Sequence, residues 1–156
     1  MLAGMALTSV EARQQLLHAL SEAIDEIGLA IAALGAAYEQ LDEQSADRLE
    51  DALFRPVQAA YGRAKRTHEQ FATRHGMASA PFESRSPGLP STRAKGFIEN
   101  AVEAAGEADR RLALLQDSPM LVEVGDVELR SGLAQVRELL GGVAPQAREL
   151  VRTLGR

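Results

Sequence analysis

Residues 17–41, LHALSEAIDEIGLAIAALGAAYEQL, form the stretch that decides the fold. Large apolar side chains recur in it three and four residues apart, at Leu17, Leu20, Ile24, Ile27, Ile31, Leu34, Tyr38 and Leu41. This spacing keeps one apolar stripe facing a partner helix along its whole length, as in a left-handed helical bundle. It predicts a long first helix over about residues 8–44.

Three further segments have the same helical spacing. They predict helices over residues 47–75, 92–116 and 126–154, the last one broken near Gly141 and Pro145. Residues 76–91 contain three prolines and no periodicity, which predicts a loop long enough to be either a turn or a crossover. We therefore predict a single all-α domain, a bundle of four long antiparallel helices. Its connectivity stays open between an up-down-up-down order and a crossover order.

One segment between the third and fourth helices is ambiguous. Residues 120–130, MLVEVGDVELR, alternate apolar and polar side chains around Gly125 and Asp126, which is also typical of a β-hairpin. An isolated two-stranded hairpin is marginally stable in water, and no other segment offers a third strand. We favour a connector followed by a helix that Asp126 caps, with helix, loop and hairpin as the alternatives.

Composition and missing motifs argue against an enzyme. The chain has no cysteine and three histidines, and no two of these histidines have the spacing that a metal site on one helix needs. It also lacks a P-loop, a nucleophile elbow and a dinucleotide-binding glycine motif. We therefore predict a non-enzymatic protein with no catalytic residues, no metal and no cofactor.

The apolar runs are short. The most apolar one, residues 27–38, has fewer than the about 20 residues that cross a bilayer. The start of the chain has no basic residues before its apolar ones, which argues against a secretory signal. We expect a cytoplasmic protein without a membrane partner.

Positive charge is concentrated in the middle of the chain, although the net charge is −5. Residues 1–54 contain two Arg and ten Asp or Glu, whereas residues 55–95 contain eight Lys or Arg and two Glu. A basic segment of this kind can bind an anionic ligand, a nucleic acid or another polyanion. The candidate anion-binding residues are Arg63, Lys65, Arg66, Arg74 and His75. The alternative is that these cations neutralise the acidic first helix across an antiparallel helix pair.

A phosphorelay module that uses His18 is a further hypothesis. His18 stands next to the apolar stripe of the first helix, where a bundle could present it to a partner. Glu22, one helical turn further on, argues against this role because its carboxylate would repel a phosphoryl group.

The middle of the first helix carries a second apolar face, formed by Leu29, Ala32, Ala33 and Ala36. A helix that is apolar nearly all round is normally covered, either by another part of the chain or by another subunit. Small residues suit a close and symmetric crossing of two helices. The interpretation we favour is an interaction or scaffold protein that acts by self-association, as a homo-oligomer, or by binding a helical partner protein.

This interpretation predicts a dimer in solution, joined through the face around Ala32 and Ala33. Light scattering should then report twice the mass of one chain. A monomeric mass at concentrations up to about 100 μM would contradict the prediction, because it excludes any association stronger than about −5.5 kcal/mol.

Overall fold

A computed structural model describes residues 2–79 and 81–154, with side-chain burial and contacts from residue 9 onward. The α-helices of this part of the chain are α1 Leu2–Gln40, α2 Glu43–Leu49, α3 Arg55–Arg74, α4 Ala94–Gln116, α5 Pro119–Val124, α6 Val127–Leu140 and α7 Val143–Leu154. The pair α2–α3 forms the second arm of a bundle and the pair α6–α7 forms the fourth. The predicted all-α bundle of four antiparallel arms is thus confirmed. Within the described residues, none of the helices combines the length and apolar character that a membrane span requires.

The second arm departs from regular α-helix just before a proline. Pro56 has no amide hydrogen, and the chain makes a π-helical turn, Glu50–Phe54, just before it. In this turn the Arg55 amide donates to the carbonyl of Glu50, five residues earlier. The arm also begins before the predicted residue 47, because the carboxylate of Asp42 caps α2 by accepting a hydrogen bond from the Ser45 amide at 2.8 Å.

The fourth arm is broken at two glycines, as the sequence predicts. Gly141 and Gly142 form the turn between α6 and α7. Pro145 lies in the first turn of α7, where backbone amides have no hydrogen-bond partner within the helix, so its missing amide hydrogen costs no helical hydrogen bond. Asp126 caps α6, with its carboxylate 2.8 Å from a backbone amide of the first turn. Gly125, at φ 66°, separates α5 from α6. Residues 120–130 are therefore helical on both sides of a turn, and the hairpin alternative is wrong.

Neighbouring arms run antiparallel, and the connection between α3 and α4 is a crossover. Ser21 of α1 contacts His68 of α3, while Gln40, at the far end of α1, donates to the carbonyl of Thr92, just before α4. Since α3 and α4 both run opposite to α1, they are parallel to each other. The chain returns along α1 through residues 77–79 and 81–92, which have almost no regular structure and are called the strap below.

The buried surface of α1 is wider than its predicted stripe. The α1 residues that the fold buries almost completely are Ala12, Leu16, Leu20, Ala23, Ile24, Ile27, Ala30, Ala33, Leu34 and Ala37. Leu17 and Ile31 of the predicted stripe are only half-buried, and Tyr38 is 39% exposed. The stripe is displaced because α1 has its most extensive contacts with α4, and both helices bury alanines that allow their backbones to approach closely.

Gly132 allows a close approach between α3 and α6. A Cβ atom at this position would lie 2.6 Å from Cγ2 of Thr67. Thr67 cannot move away freely, because it is buried and its hydroxyl donates to the carbonyl of Arg63 at 2.8 Å. Only a residue without a side chain therefore fits between the two helices here.

Replacing Gly132 with alanine should destabilise the protein by about 1–3 kcal/mol, because the new methyl group forces α3 and α6 apart. Gly35→Ala is the matched control, since Gly35 is also within a helix but a Cβ there would meet nothing within 4 Å. That variant should be neutral or more stable by up to about 1 kcal/mol, the difference in helix propensity. Urea denaturation measures both, and equal effects would contradict the close approach.

Candidate functional site

A groove of about 1120 Å³ lies between α1, the end of α3 and the first half of the strap. On the α1 side, Arg13, Leu17, Ser21 and Asp25 line it in one row, because residues four apart lie on the same face of a helix. From Arg13 to Asp25 this row is about 18 Å long, at about 1.5 Å per helical residue. The strap forms the opposite wall and contributes Phe82 among other residues.

A buried polar pair joins α1 to α3 at the groove. His68 is 4% exposed, and its Nε2 lies 2.8 Å from the hydroxyl oxygen of Ser21. The Ser21 hydroxyl donates its only hydrogen to the carbonyl of Leu17 at 3.0 Å, so the His68 Nε2–H group donates to Ser21. Burial lowers the pKa of His68 below its ordinary value, which keeps the ring neutral at pH 7. Phe82 of the strap packs edge-on against this ring, at 5.1 Å between centroids.

Arg13 brings an unsatisfied donor to one end of the groove. Its Nε atom is buried and has no hydrogen-bond partner among the described residues. None of the ion pairs between described residues involves Arg13 either. Leaving a buried donor unpaired costs about 1–3 kcal/mol.

Three of the sequence-predicted anion-binding residues lie on the middle of α3. Arg63 donates from Nε to the side-chain oxygen of Gln135 on α6, at 2.6 Å. The ammonium group of Lys65 lies 4.2 Å above the centre of the Tyr61 ring, in a cation–π contact. Arg66 is exposed. Two of these three cationic side chains therefore already contact another side chain of the same protein.

Arg74 and His75, the other two, belong to a cluster around Asp126. Both bond to the Asp126 carboxylate, Arg74 at 2.8 Å and His75 at 2.9 Å, and Arg74 also pairs with Glu128 at 2.8 Å. Burial raises the pKa of Asp126, but hydrogen bonds from the backbone of α6, from His75 and from Arg74 outweigh it, so the pKa lies below its ordinary value. The carboxylates that neutralise the end of α3 thus come from α6 and not from the first helix.

The four residues of the predicted self-association face differ in exposure. Ala33 is completely buried within one chain and offers no surface to a second copy. Leu29, Ala32 and Ala36 are half-buried, and strap residues 86–88 lie beside Leu29. The chain itself therefore covers part of this face, and self-association through the rest of it stays a prediction.

Several groove residues carry no signal that a single sequence reveals. Arg13 and Ser21 look like ordinary polar positions of an amphipathic helix, and Phe82 lies in a proline-rich stretch without periodicity. The sequence did single out two groove residues, His18 and His75. His75 is bonded to Asp126. His18 lies on the rim with its side chain 78% exposed, and its Nε2 is 3.4 Å from the carboxylate of Glu22.

Comparison with protein-family models, with curated proteins and with solved structures finds no match to this chain. The candidate function therefore follows from the groove itself. The groove is a concave surface with partly buried apolar side chains and a few polar groups.

The cluster around Asp126 generates a prediction for stability. Asp126→Ala should cost about 2–4 kcal/mol at pH 7, because it removes the cap of α6 and leaves Arg74 without its buried partner. The folded-state pKa of Asp126 is lowered, so its stabilisation is present above the ordinary aspartate pKa of about 3.9 and is lost as the pH falls below it.

Urea denaturation at pH 7 and at pH 3 should therefore show a smaller difference between the wild type and Asp126→Ala at pH 3. The control is Asp51→Ala, which removes a carboxylate from an exposed ion pair with Arg55 and should cost less than about 1 kcal/mol. A difference for Asp126→Ala that does not change with pH would contradict the role of its charge.

Proposed function

We propose that this protein is a non-enzymatic binding protein that holds an elongated small molecule in the groove between α1, α3 and the strap. The observation that carries the proposal is the groove itself, whose volume of about 1120 Å³ suffices for a small-molecule ligand. Such sites commonly have about 300–1,000 Å³. Leu17, Met77 and Phe82 line it as half-buried apolar side chains, which suits a ligand with an apolar body.

Binding fits the chemistry of the groove better than catalysis does. A serine nucleophile needs a histidine that accepts its proton. Here the Ser21 hydroxyl donates to a backbone carbonyl, and His68 donates to Ser21. The pair therefore joins two helices and does not activate a nucleophile.

The strap has few backbone bonds that would resist the entry of a ligand. At its start the Met77 amide donates a hydrogen bond to the carbonyl of Ala72 at 2.8 Å. At its end the side-chain amide of Gln40 donates a hydrogen bond to the carbonyl of Thr92. Between residues 78 and 88, the amides of the described residues donate to no other backbone group. Opening this segment would therefore break few backbone hydrogen bonds, and what it would lose is side-chain packing such as that of Phe82 against His68.

The groove supports this function better than either function predicted from the sequence. Four of the five candidate anion-binding side chains are engaged within the chain, and Arg74 is fully neutralised by Asp126 and Glu128. Ala33, at the centre of the predicted self-association face, has no exposed surface. Polyanion binding and self-association therefore remain predictions that no contact of the described residues favours.

A bulky side chain placed in the groove should weaken the binding of a ligand. Nile red, an uncharged dye that fluoresces in apolar surroundings, should bind the wild type saturably. Ala78 is exposed on the groove wall, so Ala78→Trp should fill the space and weaken binding about tenfold or more, which is about 1.4 kcal/mol. Fluorescence titration measures the affinity.

The matched control is Ala59→Trp, because Ala59 is also exposed but lies on α3 outside the groove. This variant should bind Nile red like the wild type, and thermal melting should show that all three proteins are folded. Absence of saturable binding, or an equal loss in both variants, would refute the proposed function.

A further inference from the structure

Starting from the proposed function, we infer that the ligand is a carboxylate with an apolar chain. Its carboxylate binds Arg13 at one end of the groove, and its chain extends along the strap towards Phe82. The inference rests on the distribution of charge and of apolar surface along the groove.

The Arg13 end of the groove carries a cation without an ion pair among the described residues. Of the other basic side chains near this end, His75 bonds to Asp126, and His18 faces Glu22. Arg13 forms no ion pair with a described residue, and its buried Nε has no acceptor. A guanidinium group presents two parallel N–H donors, a geometry that matches the two oxygens of a carboxylate.

A single carboxylate suits this end better than a phosphate does. A phosphate carries up to two charges at neutral pH, and its binding sites gather several donors or the start of a helix. At this end the groove offers one guanidinium without an ion pair to a described residue, that of Arg13 in the interior of α1; Arg85 lines the opposite end. One negative charge is what this cation can neutralise.

The other end of the groove sets the direction of the ligand. Asp25 and Arg85 both line it, so their opposite charges offset one another there. Glu83, on the strap, adds one further negative charge to the lining. An anionic group is therefore favoured at Arg13 and disfavoured at the far end.

The middle of the groove suits an apolar chain. Three half-buried apolar side chains line it and pack against the core: Leu17 of α1, and Met77 and Phe82 of the strap. Ser21 and His68 are polar, but they bond to each other and require no polar group from the ligand. Each methylene group that a ligand buries on these side chains adds to the binding free energy.

Competition against Nile red tests the inference with two probes that differ only in the head group, decanoate and 1-decanol. At pH 7.5 decanoate should displace the dye from the wild type with at least about tenfold higher affinity than 1-decanol. Arg13→Gln should remove this preference by lowering the affinity for decanoate to about that of 1-decanol. Arg13→Lys keeps the charge without the paired donors and should restore part of the preference.

Arg66→Gln is the control for the change in net charge, because Arg66 is exposed and does not line this groove. It should leave the preference for decanoate intact. Equal displacement by decanoate and 1-decanol, or a preference that survives Arg13→Gln, would overturn the inference while Nile red binding still supports the groove. If neither Nile red nor decanoate binds, with calorimetry as the second readout for decanoate, the proposed function fails as well.

Discussion

Close packing between α1 and α4 is the constraint on which the other parts of this protein depend. Both helices bury alanines, which lets their backbones approach and brings many atoms into contact. Gln40 is paired with Thr92 at one end of this contact, and Glu22 with Arg111 further along. With α4 on one side of α1 and α3 on another, the chain must travel from the end of α3 back to the start of α4. The strap makes that connection, and it crosses the surface of α1 that the helices leave uncovered.

The groove follows from this crossover. A helix packed against α1 and α3 would fill the surface between them with regularly spaced side chains. The strap is irregular, and it touches this surface at separate points, among them Phe82 against His68. Space remains between the strap and the row of α1 side chains from Arg13 to Asp25. The groove therefore exists because the connection is long and has almost no secondary structure.

Charges within the bundle are balanced by ion pairs between neighbouring helices. Arg137 of α6 pairs with Asp109 of α4 at 2.9 Å, just as Arg74 of α3 pairs with Asp126 at the start of α6. Each of these ion pairs forms only when the two antiparallel helices are aligned in one axial register, and so favours that register. Arg13 differs from them, because its guanidinium has no such partner among the described residues. This difference is the basis of our proposal that an anionic group binds at this end of the groove.

The sequence alone determined the features that depend on residues close together in the chain. The four helical arms follow from apolar spacing, the break in the fourth arm from Gly141 and Pro145, and the start of α6 from Asp126, since period and cap are local properties. Only the tertiary structure decided the connectivity, the face of α1 that is buried and the position of the groove. Ser21 and His68, for example, are 47 residues apart. No local pattern brings them together, because their contact depends on how tightly α1, α3 and α4 pack and on the path that the strap must then take.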